Sequence, residues 1–111
     1  MKLLTKSIER KLKANAISGV KFGTDHKPVV KFFGGGACTW LISEMHPVTD
    51  RMYGLCDLGQ GSPELGVVRL YDLKSITFQL GLKVERDLSF KADKTLNEYA
   101  DEARIAGRIA A

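Results

Sequence analysis

The chain has 111 residues, 44% of them hydrophobic, with 17 Lys plus Arg against 13 Asp plus Glu for a formal charge of +4. That length supports a single domain over residues 1–111 with one modest core. No run approaches the ~20 apolar residues of a membrane helix, Met1-Lys2-Leu3-Leu4-Thr5-Lys6 lacks the apolar stretch of a signal peptide, and two cysteines cannot build a disulfide framework, so a cytoplasmic protein with free thiols is expected.

The charge is unevenly placed. Residues 1–36 hold eight basic and two acidic side chains, residues 37–72 two and five, and residues 73–111 seven and six. A basic front and an acidic middle follow.

Taken in chain order, Thr5 is placed to cap a first helix in which Leu4, Ile8 and Leu12 share a face, ending near Asn15. Pro28 pushes Lys27 toward an extended conformation, and Val29-Val30-Lys31-Phe32-Phe33 reads as a strand closed by a Gly34-Gly35-Gly36 turn. Residues 38–43 and 52–56, joined by a loop containing His46-Pro47, read as paired antiparallel strands. Gly59, Gly61, Pro63 and Gly66 mark a loop before a strand at 67–71, after which Asp72 is placed to cap a short helical turn. The stretch Val84 to Lys91 alternates, with Val84, Arg86, Leu88 and Phe90 on one face. Thr95 and Glu98 form a capping box for a last helix whose apolar stripe is Leu96, Tyr99, Ala100, Ala103 and Ala106. The sum is an α+β domain: a small antiparallel sheet of about four to five short strands with an N-terminal and a C-terminal helix.

Chemistry-bearing constellations are sparse. Gly34-Gly35-Gly36 lacks the Gly-Lys-Ser/Thr that gives a phosphate loop its mechanism, and Gly59-Gln60-Gly61-Ser62-Pro63-Glu64 has Glu64 where a dinucleotide fingerprint needs its third glycine. His26, Cys38, His46 and Cys56 have no chelating spacing, so neither a metal nor a cofactor is expected; nothing marks a base or an oxyanion donor for a Cys/His pair. Cys38 and Cys56 become near cross-strand neighbours if their strands pair, which would permit an oxidised form.

Two groups of residues stand out. Asp57, Glu64, Glu85, Arg86 and Asp87 flank loops and form a candidate functional cluster, in which Glu85 and Asp87 share a strand face and Arg86, turned to the apolar side, requires Glu64 or Asp57 as partner. Convergence of those carboxylates on one cleft would suit a metal-dependent enzyme. Lys6, Arg10, Lys13, Lys21, Lys27 and Lys31, with Phe32, Phe33 and Trp40 nearby, are candidates for nucleic-acid contact, although no helix-turn-helix or RNP signature is present.

Met1-Lys2-Leu3-Leu4-Thr5, Val30-Lys31-Phe32-Phe33, Thr39-Trp40, Glu44, Tyr53-Gly54-Leu55-Cys56-Asp57-Leu58-Gly59, Pro63-Glu64-Leu65-Gly66 and Gly81-Leu82-Lys83-Val84-Glu85-Arg86-Asp87-Leu88 occur in this order. Together with the tail from Ala92-Asp93-Lys94 to Arg104 they make the chain resemble a bacterial family catalogued as domain of unknown function 2958. Arg69-Leu70-Tyr71-Asp72-Leu73 departs from a common Ser-Leu-x-Glu-Leu pattern of that family. The resemblance implies a small cytoplasmic accessory protein of plasmids and other mobile genetic elements and brings no catalytic residues with it. It directs the expectation to a non-enzymatic domain that binds a macromolecule, a protein in the first place; nucleic-acid binding, inhibition of a host defence system and metal-dependent catalysis are the alternatives.

Overall fold

The N-terminal hydrophobic residues Leu3 and Leu4 pack into the core on one side of a sheet. The computed structural model describes residues 2–111, apart from the side chain of Phe22; Met1, the first residue of the motifs quoted above, lies outside the described residues. Helix α1 spans Lys6–Phe22, opened by the Thr5 hydroxyl accepting from the Ile8 N–H at 3.1 Å and closed by Gly23 at φ 63°. It therefore continues past Asn15, where the sequence suggests an end. Asn15 is buried instead, and its amide donates to the Ser43 carbonyl at 3.0 Å, so a tertiary bond outweighs the residue's weak helix propensity.

Five strands follow: β1 (Val30–Gly34), β2 (Cys38–Met45), β3 (Arg51–Asp57), β4 (Glu64–Arg69) and β5 (Glu85–Arg86). They form one sheet in the order β4-β3-β2-β1-β5, antiparallel throughout. The β1–β2 hairpin turns at Gly35 and Gly36, both at positive φ, as the glycine run predicts. Helix α2 (Leu70–Ser75) follows β4 directly and begins three residues earlier than a cap at Asp72 would place it, so that Leu70 and Tyr71 are helical and not part of the strand. Its cap comes from across the sheet: Asp50 Oδ2 accepts from the Tyr71 N–H at 2.9 Å and the Asp50 carbonyl from Leu70, leaving Asp72 in the first turn.

The alternation over 84–91 does not produce a long strand. Only Glu85 and Arg86 pair with β1; Val84 is buried on one side of the sheet, Phe90 packs against the cluster on the other, and Leu88 is exposed, because the chain turns at Asp87, whose carboxylate accepts from the Ser89 N–H at 2.8 Å. Helix α3 (Leu96–Ala106) has the predicted capping box and ends at Gly107 with φ 76°; Leu96, Tyr99, Ala100 and Ala103 are buried, while Ala106 is exposed.

The sheet is covered on both sides. Phe32, Trp40, Ile42 and Met52 pack with Leu3, Leu4, Leu12, Leu73 and Val84 on the α1 side, and Leu41 and Leu55 pack with Leu96, Tyr99, Ala100, Ala103 and Ile109 on the α3 side. Trp40, Leu41, Ile42 and Ser43 are accordingly buried in succession, the pattern of a central strand with both faces covered. The β2–β3 ladder slips between Ile42 and Glu44, so that Ser43 is a bulge and Glu44, not Ser43, comes to lie opposite Tyr53.

Candidate interaction groove

The bulge sets up the groove. Beyond it, at the end of the sheet where α1 finishes and α3 begins, two open depressions adjoin and share Val20, Glu44 and Tyr53. One, about 400 Å³, is completed by Gly19, Asp25, His26 and Asn97 among others. The other, about 600 Å³, is more apolar and is lined by Ala16, His46, Pro47, Arg51, Met52 and Val67 besides the shared residues. Val20 is 89% exposed and Val67 64%, so the groove presents aliphatic side chains that the fold does not use.

The loop between α1 and β1, residues 23–29, frames the polar end. The His26 carbonyl accepts from the Leu96 N–H at 2.9 Å and Asp25 Oδ1 from the Asn97 N–H at 3.2 Å, which fastens this loop to the start of α3. The His26 ring is held by Ser18, with Oγ and Nε2 2.9 Å apart. Ser18, His26 and Glu44 follow one another like a nucleophile, a base and an acid, but the nearby Leu96 and Asn97 N–H groups are already taken by His26 and Asp25, so neither is free to act as an oxyanion donor. What the arrangement does is position a loop and a carboxylate.

Burial pushes the Glu44 carboxyl above the usual carboxylate range, and the neighbouring His26 draws it part of the way back. The Tyr53 phenol is raised by burial, by Glu44 and by Asp25. Gly19 belongs to the same unit: a Cβ there would stand 2.9 Å from Glu44 Oε2, so the absent side chain is the space in which the carboxylate lies.

The five residues of the sequence-derived cluster are not brought together. Asp57 is buried at the other end of β3, where Oδ1 accepts from the Gly59 N–H at 2.8 Å and Oδ2 from the Ile109 N–H at 3.0 Å, pinning the C-terminal tail. Glu64 begins β4 at one edge of the sheet, and Glu85 and Arg86 form β5 at the opposite edge, four strand spacings or roughly 19 Å away. Glu64 is thus out of reach of Arg86, and both Asp57 oxygens are engaged elsewhere. Arg86 Nη1 instead donates to the Lys2 and Leu3 carbonyls at 2.7 and 3.0 Å, holding the N-terminal segment against the sheet. Asp87 lies 3.6 Å from Lys31. The common cleft that a metal-dependent reading of these carboxylates requires is not formed, and among the described residues no three His, Cys, Asp or Glu side chains gather closely enough to share a cation.

The basic candidates divide as well. Lys6, Arg10, Lys13 and Lys21 lie along α1, with Lys13 3.0 Å from Glu9, whereas Lys27 is in the loop and Lys31 is on β1 beside Asp87 and the chain terminus. Phe32 and Trp40 are buried in the core and offer no stacking surface, and Phe33 is only partly exposed. Cys38 and Cys56 are free thiols and stand diagonally, since Trp40 is opposite Cys56. Burial lifts both, Cys56 to about 11, and Asp57 adds to the rise at Cys38, so neither is poised as a thiolate.

Of the groove residues, Glu44 occurs among the motifs that carry the family resemblance and Gly19 is a helix-breaking residue inside a helix; both are signals that sequence reasoning about carboxylates near loops passed over. No described helix is long and apolar enough to cross a membrane. No curated protein and no solved structure matches the chain. Residues 3–110 match a family described as protein of unknown function (DUF2958), and the chain belongs to that family.

Proposed function

We propose that this chain is a non-enzymatic protein-interaction domain, an accessory protein of mobile genetic elements, that engages its partner through the groove at the end of α1. The observation that carries the binding surface is the pair of adjoining depressions meeting at Val20, Glu44 and Tyr53, with Val20 and Val67 left exposed beside them. Apolar side chains rimmed by a few polar groups are the anatomy of a protein contact. The mobile-element setting rests on the family resemblance. An inhibitor of a host defence component would use the same groove with a particular partner.

A photoreactive benzoylphenylalanine placed at Val20 tests this in the native host, with Leu88, 73% exposed just beyond the edge strand β5 and outside both depressions, as the control position. A discrete, nuclease-resistant cross-linked protein from Val20 and none from Leu88 is expected. Equal products from both positions, or none from Val20, would remove the reading.

One observation favours nucleic acid as a second reading. Lys6, Arg10, Lys13 and Lys21 follow the outer ridge of α1 over roughly 22 Å, long enough to meet several phosphates. Binding that weakens steeply with salt and disappears when Lys6, Arg10 and Lys13 are changed to Glu would support it; no retention of DNA or RNA at low salt would end it.

A further inference from the structure

The two depressions meet over a carboxylate that the fold positions beside the His26 imidazole but does not fix by a hydrogen bond or salt bridge among the described residues. Glu44 is half-buried, and among the described residues it makes no hydrogen bond or ion pair. Glycine is a weaker helix former than alanine, and Gly19 sits in α1 where a Cβ would press on Glu44 Oε2 at 2.9 Å. A side chain at this position would displace the end of the Glu44 side chain from where it now lies. Asp25 lines the same depression, its charge reaching Tyr53 as that of Glu44 does.

Two carboxylates and a phenol ring, set against the one imidazole of His26, suit a cation, because the carboxylates accept charge-assisted hydrogen bonds and the ring face attracts positive charge. They repel phosphate, which sets this groove apart from the basic ridge of α1. The apolar depression continues without a break from Glu44 to Met52 and Val67, so a cationic ligand that fills the groove also carries an aliphatic group. Arg51 lines the apolar depression and disfavours a second cation there.

Building on the groove as a protein-binding surface, we propose that its occupant is a partner segment in which an arginine or lysine adjoins an apolar residue. The cationic group lies against Glu44 beside the Tyr53 ring, and the apolar side chain rests on Val20, Met52 and Val67.

The test uses the full chain, labelled with nitrogen-15, and two capped pentapeptides, one with an arginine followed by two leucines and one with the neutral isostere citrulline in place of the arginine. The arginyl peptide is expected to shift the amide resonances of Gly19, Val20, Glu44 and Tyr53 saturably, and to bind at least about tenfold more tightly than the citrulline peptide. Glu44→Gln should abolish that preference while keeping a dispersed spectrum, and Gly19→Ala, which displaces the carboxylate without neutralising it, should narrow it. Equal binding of the two peptides, an unchanged preference in Glu44→Gln, or no shift at the groove from either peptide would overturn the proposal. Cross-linking from Val20 is an independent readout: a cross-linked partner together with no charge preference would discard the cation and leave the interaction surface standing, whereas loss of the cross-link removes the surface itself.

Discussion

Two carboxylates stand near opposite ends of the β2–β3 ladder and differ in how the fold engages them. At one end Asp57, opposite Thr39, is 2% exposed and has each oxygen bonded to a backbone N–H, one from its own loop and one from the chain's last residues. At the other end Glu44, opposite Tyr53, is half-buried, raised in pKa by burial, and without a hydrogen-bond donor among the described residues. A buried polar group whose partners are complete holds a structure together; one that the fold cradles but leaves unpaired is available to a ligand. The same side-chain chemistry is thus assigned to stability at the closed end and to recognition at the open end.

The contrast depends on the bulge that turns Glu44 toward α1, and the largest expected effect is there. At Gly54, opposite Ile42, a Cβ would stand 2.0 Å from the Leu41 carbonyl, so Gly54→Ala must spread the central hairpin. A loss of about 4 kcal/mol or more is expected in urea unfolding, or failure to fold; a stable Gly54→Ala protein would show that the bulge geometry is not required. The second effect separates the two carboxylates. Asp57→Ala leaves the buried Ile109 N–H and the partly exposed Gly59 N–H without their acceptor, and a loss of about 2–3 kcal/mol is expected. Glu44→Gln should lie within about 0.5 kcal/mol of the parent, and a comparable loss in both variants would erase the distinction.

The smallest effect is the pH dependence. A carboxyl whose folded pKa lies above its unfolded value keeps its proton in the folded state over an interval in which the unfolded chain has released it. Glu44 therefore costs nothing below its unfolded value, and its contribution becomes unfavourable as pH rises through the interval up to the folded value. Asp50 runs the other way: the Tyr71 N–H and Arg69 hold it below the ordinary range, and the stability it contributes above its unfolded value is lost as pH falls toward the folded one. Stability measured against pH in Glu44→Gln should lack the decline of the first interval and keep the Asp50 slope; retention of both slopes would mean that Glu44 is not the group responsible.

These two ends also differ in how far the sequence discloses them. Local signals were enough for the α3 capping box, for the glycine turn of the first hairpin and for the α+β class, because each depends on neighbours within a few residues. The continuation of α1 past Asn15 depends on a bond to Ser43, and the start of α2 on Asp50, two contacts that join residues 28 and 21 positions apart. The alternation at 84–91 suggested a strand that is cut short by the turn at Asp87. As for the site, proximity to loops drew attention to Asp57, Glu64, Glu85 and Asp87, which the sheet order keeps apart. Glu44 lay within a strand, where only the bulge and the missing Cβ of Gly19 distinguish it from an ordinary surface carboxylate.

The most direct test compares cross-linking from Val20 in the parent and in Glu44→Gln, each shown by urea unfolding to be equally stable. The account predicts that Glu44→Gln keeps its unfolding midpoint and that capture of the partner falls at least about fivefold, a loss on the order of 1 kcal/mol for one charge-assisted contact. Undiminished capture, or a drop that merely follows a lowered midpoint, would contradict it.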